Sequence, residues 1–565
     1  MEKMLFMQKL LVFVIALSVT LLGASAIPEA WARDLASRSL TTSEITQYIS
    51  SFEKLTIGSQ PLAYVYHLSP KGYIVISASE ELPPLITYSL DSSFYGTEQS
   101  QILKDLVLAD LSQRLASGSI NSKNRQSWAR FLGSDFGYDL RADYLLQSSW
   151  SQNYPWNMMV PMDPQSGVRS VAGCPAIVMG QILNYLQSTN NTRLDDSDDY
   201  YHSYAGRNYS IDDDHESLGF PSFPELNGYL SQIDSAFARD LSLSDSLSAA
   251  LVFASGTALK QVYSSSVSGT MSVNQAYNAY QRFGFEEAEL LGPQAADLHT
   301  RIIQNLEDGY PVHLAVVTPS WDAGHNVVVD GYRPEDGMYH MNFGWGGSYN
   351  GWYNLPESLP YNLTVVEGAV VDIIPRESVL CLPQSIQMEA GESRTVDIMN
   401  LSDAPLVFED ILFPECFTAD DWAISVELPF TIEAYGILSF DLSHIGNSRE
   451  YIQGDLRLVF DRSWCLLPLS FMPAVSAQEA VAEIEPVYVK AMPNPFVDKC
   501  HFEISPTPKR PARLFIYNIK GQKVHDSTLG TWDGLDLRGN SCPSGIYFYR
   551  VQTRDFSSQG RILKL

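Results

Sequence analysis

From Pro175 to Leu186 the chain is apolar on nearly every face, and a helix of that kind is stable only when it runs through a core. Cys174 stands directly in front of it, behind Gly173. Glycine ends a loop, and Pro175 suits a first helical turn because its missing N–H would have no partner there. Cys174 is therefore expected at the N-terminus of a buried helix, where unpaired amides and the macrodipole favour a negative sulfur. Taken alone, the segment also fits an inert core cysteine, since free cysteine is among the most buried residue types.

One such core does not account for 565 residues; at roughly 100 to 200 residues per domain the length calls for about three to five domains. An apolar fraction of 45% with 12% aromatics places the chain among folded proteins. Its net charge of -28 repels phosphate backbones, so no nucleic-acid partner is expected. Six cysteines are too few for a disulfide scaffold, and Cys174 is the only one before Cys381.

Lys3 and Lys9 precede an apolar run from Leu10 to Leu22 and the small residues Ala24, Ser25 and Ala26. This reads as a secretory signal over 1–26, too short for the ~20 residues a membrane span needs. A second cleavage option ends at Ala32. Residues 27–142 read as a small α+β unit in the place a pro-segment would occupy: a helix from Thr41 to Leu55, strands at Ala63 to His67 and Gly72 to Ser77, and helix over 100–131. Residues 143–376 mix helices (Pro175 to Leu186, Asp245 to Tyr263, Ser272 to Phe283) with late strands from Pro311 to Ile374. Their acidic runs, Asp195 to Asp199 and Asp212 to Asp214, read as solvated loops and lack the spacing of a helix-loop-helix calcium site. Alternating strands over 377–475 predict a β-sandwich, 476–485 a linker, and 486–565 a last all-β unit.

A nucleophilic cysteine needs a base and a group that orients the base. His325, after Gly324 and ahead of Val327 and Val329, stands at the mouth of a strand. Asn342 lies a hairpin's distance beyond Asp330; its amide oxygen is expected to hold the His325 ring, with Trp345 covering that bond from water. His340, on the same strand face as Asn342, is the alternative base. The glycines Gly344, Gly346 and Gly347 lack the spacing and following helix of a phosphate cradle. Gln152, in a polar-aromatic loop, offers a side-chain N–H that with the Cys174 backbone N–H would make a two-donor oxyanion hole.

Gln152 with Pro155 and Asn157, Gly173 and Cys174 with Ala176, Met179 and Gln181, Gly324 and His325 with Asp330 and Gly331, and Asn342 with Gly344, Trp345, Gly346, Gly347 and Gly351 resemble the streptopain family of papain-fold cysteine peptidases. The likeness spans roughly residues 145 to 375. It implies a papain-like peptidase domain with Cys174 as nucleophile, His325 as base, Gln152 in the oxyanion hole, and Asn342 and Trp345 supporting the histidine. Two positions depart from the family's pattern: Pro175 follows the nucleophile where valine is more usual, and Phe343 replaces a tryptophan. Gly72 to Ser79 with Leu82 to Leu85 is similar to the family's propeptide, which implies an intramolecular inhibitor removed by cleavage; the domain boundary sets that cleavage between about Phe136 and Gln147. Pro493 to Phe496, Tyr517 to Gln522, Trp532 to Gly534 and Ser544 to Tyr549 resemble the type A sorting domain of the type IX secretion system. That implies export across the outer membrane of a Gram-negative bacterium, with release or surface attachment, and the secretion machinery as a partner.

The fold class expected is multidomain α+β: an α+β propeptide, a papain-like peptidase domain and two β-sandwich domains. The function expected is a secreted cysteine endopeptidase, made latent, that cuts peptide bonds in protein or peptide substrates. A non-catalytic surface adhesin on a degenerate peptidase fold, and transglutaminase-like acyl transfer, are the competing readings. No C-x-x-C or H-E-x-x-H spacing occurs, and no metal or cofactor is expected. Among the later cysteines the pairs considered are Cys416 with Cys465 and Cys500 with Cys542, leaving Cys381 free.

Overall fold

The computed structural model describes residues 26–43, 45–90, 94, 111, 115, 122–132, 144–334, 337–347, 349–355, 363–446, 450–473, 488–505, 512–518, 523–553 and 556–565. The signal sequence, the expected cleavage region before Tyr144 and the linker core at 476–484 lie outside these residues. Helix α1 (Glu29–Thr42) is followed by an antiparallel sheet of β1 (Tyr48–Ile57), β2 (Gln60–Ser69), β3 (Tyr73–Ser77) and β4 (Leu85–Ser89) in sequence order. Side chains alternate along a strand, so this sheet has two apolar faces. Tyr64, Tyr66, Ile74 and Ile76 pack under α1 with Ala32, Leu35 and Ala36, while Ala63, Val65, Tyr73 and Val75 join the core of the following domain. Helix α2 (Ser122–Leu132) closes the first face through Trp128, whose indole N–H donates to the Ser79 and Leu82 carbonyls at 3.2 and 3.1 Å.

The helix expected from Thr41 to Leu55 is corrected: its second half is strand β1, and the helix lies earlier. The cause is the tight turn at Gly58, whose φ of 60° sets a hairpin in which Ile57 faces Gln60, so pairing along β2 overrides local helical preference.

The middle domain is built on α3 (Cys174–Leu186), α4 (Phe223–Ala238), α5 (Asp245–Ala258), α6 (Val273–Arg282) and α7 (Leu298–Glu307). The short hairpin β5 (Tyr200–Tyr204) and β6 (Arg207–Ile211) stands apart from a six-stranded sheet. That sheet comprises β7 (Glu289–Leu291), β8 (Val312–Val317), β9 (Gly324–Arg333), β10 (Met338–Asn342), β11 (Gly351–Tyr353) and β12 (Val365–Val371) in the order β11-β10-β9-β8-β12-β7. As its sequence requires, α3 runs through a core, between α5 and β9, with Pro175 to Leu183 all buried. Helix α5 stops at Ala258, short of the expected Tyr263, because Lys260 turns left-handed at φ 48°. In the first acidic run, both carboxylate oxygens of Asp198 are taken by Arg282 at 2.7 Å.

Residues 379–472 form a sandwich of a four-stranded and a five-stranded sheet, and 488–564 form a three-stranded and a four-stranded sheet. The expected cysteine pairing is corrected. The disulfide is Cys381–Cys465, because Cys381 on the smaller sheet faces Cys465 on the larger one. Cys416 is exposed, and Cys500 and Cys542 are buried and unbonded. In this acidic chain, scarce basic side chains join the units. Arg239 meets Glu409 at 2.9 Å, Arg457 donates to the Ala238 carbonyl at 2.8 Å, and Lys523 meets Glu287 at 2.7 Å.

One carboxylate fixes the loops ahead of α3. Asp163 is fully buried and accepts from Arg207 Nε at 2.8 Å, from the Ser265 N–H and hydroxyl at 2.8 and 2.7 Å, and from the Gln165 N–H at 2.9 Å. Burial raises its carboxyl pKa, but these donors outweigh that and hold it well below the usual range. A depressed carboxyl stabilises the fold above the unfolded pKa of about 3.9 and loses that contribution as pH falls through the folded value. Asp163→Asn, which leaves half-buried Arg207 without its carboxylate, is expected to cost about 3 kcal/mol at neutral pH. Thermal unfolding checks this: the gap between variant and wild type should narrow as the pH falls below 4.

Candidate active site

Cys174 is the first residue of α3, and Gly173 before it has φ 85°. A side chain on Gly173 would strike Gln261 Oε1, 2.7 Å from where its Cβ would lie. Gln261, beyond the end of α5, donates to the Ala172 carbonyl at 2.6 Å. The neighbouring N–H groups are also held: Val171 donates to the Ser264 carbonyl at 3.0 Å and Ala172 to the Gln152 carbonyl at 2.8 Å. The Gln152 backbone is thereby fixed two residues from the thiol. Cys174 keeps part of its surface open. Even so, desolvation is the largest influence on its thiol and raises the pKa, opposed by the Asn326 backbone and side-chain N–H groups and by its own backbone N–H. The helix terminus was expected to lower this pKa; burial outweighs it here.

His325 lies near the start of β9, buried, and the next residue, Asn326, reaches Cys174 Sγ at 3.9 Å. The strand mouth and the helix terminus therefore meet. The His325 Nε2 atom is 2.9 Å from the Phe343 carbonyl. A carbonyl only accepts, so Nε2 carries the proton and Nδ1 keeps a lone pair. The imidazole lies 4.4 Å from the Trp345 ring and nearly parallel to Phe343 at 5.8 Å, centroid to centroid. Burial pushes its pKa down to about 4, against the pull of the Phe343 carbonyl, so the ring is neutral at neutral pH.

The bond expected from Asn342 to His325 is corrected: the ring's partner is a main-chain carbonyl. Asn342, 1% exposed, instead exchanges hydrogen bonds with Gln181 on α3 at 3.3 Å each way, donates to the Ser148 carbonyl at 2.7 Å and accepts from the Gly344 N–H at 3.0 Å. Gln181 Oε1 also accepts from the Ser148 hydroxyl at 3.0 Å and the Trp150 N–H at 3.1 Å. On the other side, the Phe343 N–H donates to Asn350 Oδ1 at 3.0 Å. Asn342 thus grips the peptide unit that contains the carbonyl holding His325, and Asn350 the unit before it. The sequence reading did not assign Asn350 or Asn326; Gln181 appeared there only within the family motif, without a role.

The alternative base, His340, is not brought to the thiol by any contact. Its Nδ1 is 2.6 Å from Asp330 Oδ1 and its ring stacks on Tyr144 at 3.9 Å. The irregular register between β9 and β10 at this point turns Asp330 toward it. Asp330 also accepts the Leu145 and Leu146 N–H groups at 2.8 and 3.2 Å, so His340 belongs to a buried clamp on the start of the domain. Among the described residues no group of three or more His, Cys, Asp or Glu side chains converges as a metal-binding set.

Comparison with known proteins places this geometry. Residues 150–353 match the peptidase C10 family, residues 24–114 the Spi protease inhibitor family, and residues 490–564 the secretion system C-terminal sorting domain. The chain is 28% identical over 317 residues to the thiol protease/hemagglutinin PrtT of Porphyromonas gingivalis, a match covering 52% of this chain and 34% of that protein. It is 22% identical over 332 residues to streptopain of Streptococcus pyogenes, covering 54% of this chain and 77% of streptopain. The chain thus spans about a third of PrtT's length and about three quarters of streptopain's. A prointerpain A fragment of Prevotella intermedia superposes with a TM-score of 0.41 at 20% identity, covering 58% of this chain and 99% of the fragment. Behind a Spi-inhibitor-like segment and ahead of a secretion sorting domain, the chain carries a cysteine peptidase domain that belongs to the peptidase C10, or streptopain, family.

Proposed function

We propose that the chain is the precursor of an exported cysteine endopeptidase in which Cys174 is the nucleophile and His325 the general base. The observation that carries this reading is a cysteine at a buried helix start whose sulfur is reached by Asn326, the strand residue next to a histidine whose Nε2 proton is fixed on a carbonyl. That tautomer leaves Nδ1 as the proton acceptor. Transfer of the thiol proton to Nδ1 makes the nucleophilic thiolate. Its sulfur bonds to the peptide carbonyl carbon, and the oxyanion is received by the Cys174 N–H and the Gln152 side-chain N–H. Nδ1–H then protonates the leaving amine as the C–N bond breaks, and water, deprotonated by His325, releases the acyl group from sulfur. Trp345 and Phe343 shield the ring, and Asn342 and Asn350 position the Phe343 carbonyl.

The N-terminal unit is proposed as the latency device. Arg333, 3% exposed, donates to the Tyr88 hydroxyl at 2.6 Å and lies 5.1 Å from the Tyr88 and Trp352 ring centroids. The inhibitor-like sheet shares its second apolar face with Phe343, Tyr349 and Tyr353, the wall behind His325. Removing it would uncover that wall. The sorting domain points to export from a Gram-negative cell; whether the product stays on the surface or is released belongs to the same proposal.

Cys174→Ala is expected to accumulate as full-length precursor and to leave casein uncut, while processed wild type cleaves it. If the variant still cleaves casein, the assignment of Cys174 fails; if processed wild type leaves casein intact but joins a peptide to an added amine in the mass spectrum, the enzyme is an acyl transferase. Wild-type precursor that neither cuts nor transfers after removal of the N-terminal unit would leave the adhesin reading. Asn342→Ala and Asn350→Ala, which loosen the carbonyl behind His325, should each lower kcat about 10- to 100-fold with little change in KM, measured on a fluorogenic peptide.

A further inference from the structure

We propose that Asn326 holds the Cys174 thiolate through its side-chain N–H, and that His313 and Tyr280, buried behind it, are positioning residues that fix which way its amide points. This rests on the peptidase reading above and concerns a part of the site that the acid-base pair leaves unexplained. Asn326 follows His325 on β9. It bridges two groups: Nδ2 lies 3.9 Å from Cys174 Sγ, and Oδ1 lies 2.7 Å from His313 Nε2. His313 is fully buried on β8, two residues before Ala315, the register partner of Asn326. Its other nitrogen, Nδ1, is 3.2 Å from the hydroxyl of Tyr280 on α6, itself fully buried.

The proton inventory gives this chain one self-consistent direction. Burial pushes the His313 pKa down to about 4, so at neutral pH the ring has a single N–H to place. With the amide N–H toward sulfur, Oδ1 faces His313 and must accept, so Nε2 carries the proton. Nδ1 then accepts, and the Tyr280 hydroxyl donates to it. Each donor meets one acceptor, from tyrosine through histidine and amide to sulfur. Reversing the amide would set its oxygen against a thiolate, two acceptors face to face. A donor on sulfur stabilises the charged form more than the neutral one, so the arrangement favours the thiolate. The titratable groups facing this part of the site are Cys174 on α3, His325 on β9, His313 on β8 and Tyr280 on α6. The Asn326 backbone N–H acts on the same sulfur, and side-chain replacement leaves it in place.

The test is the pH dependence of iodoacetamide alkylation at Cys174, read by peptide mass spectrometry on full-length precursor processed by limited proteolysis. Exposed Cys416 serves as an internal reference thiol. Asn326→Asp keeps the side chain's shape but removes its donor, and Asn326→Ala removes the side chain. Both are expected to raise the Cys174 midpoint by about one pH unit, tenfold in thiolate below it, with Cys416 unmoved. His313→Ala should move it the same way, while His313→Gln, which keeps an N–H where Nε2 stands, should restore the wild-type profile. An unshifted midpoint in Asn326→Asp overturns the proposal, as does His313→Gln behaving like His313→Ala. If wild-type Cys174 titrates no differently from Cys416, the peptidase reading itself fails and takes this inference with it.

Discussion

A buried pair of side-chain amides sets the geometry of the site. Gln181 lies about two helical turns beyond Cys174 on α3, and Asn342 ends β10, one residue before the carbonyl that holds His325. The two exchange hydrogen bonds, and both are buried, so removing either leaves polar atoms that water cannot reach. Gln181 also receives Ser148 and Trp150, and through that segment it fixes the approach to Gln152. Helix, strand and the loop that carries Gln152 therefore converge on one glutamine. Their relative positions are decided in the core, where packing tolerates little drift, and not at the open cleft.

The same burial would keep the proposed precursor quiet. The proposed acid-base pair works through ions and must be able to charge, and desolvation here acts against both groups: it raises the Cys174 thiol and lowers the His325 imidazole. The apolar face of the inhibitor-like sheet contributes to that condition, because it completes the core that includes Phe343 and Tyr349. An inhibitor that packs on the wall of the site opposes ionisation by low polarity as well as by occupying space.

What the sequence made legible is what residue type alone specifies. A cysteine between glycine and proline ahead of an apolar run reads as a helix start, and Cys174 is one. A histidine just ahead of a run of three valines reads as a strand mouth, and His325 stands there. The partner of His325 was not legible, because a backbone carbonyl carries no side-chain signature, and the reading passed to Asn342, whose amide oxygen lies a hairpin's distance beyond Asp330. For the same reason Phe343 in place of tryptophan removes no acceptor: every residue at that position supplies the same carbonyl, and the phenyl ring still stacks on the imidazole. Strand β1 was missed because its pairing comes from the turn at Gly58, not from its own pattern. Asn326 and His313 were passed over because a polar residue inside an apolar strand gains meaning only when the neighbouring strand is known.

The cysteines, counted in the sequence as one apart and five together, sort further by environment. Cys381 and Cys465 tie the two layers of the first sandwich across 84 residues, a loop whose closure stabilises by about 4 to 5 kcal/mol. Cys500 sits in the apolar core of the last unit, where burial pushes its thiol up to about 11. Cys542 is raised for the same reason. Sulfur that is bonded or held as a buried thiol does not compete for oxidants or electrophiles. That leaves Cys416, exposed on the sandwich, and Cys174, partly open at the end of α3. Of these two only Cys174 has a histidine on the adjoining strand and amide donors aimed at its sulfur, so the difference that matters chemically is in the neighbours and not in the exposure.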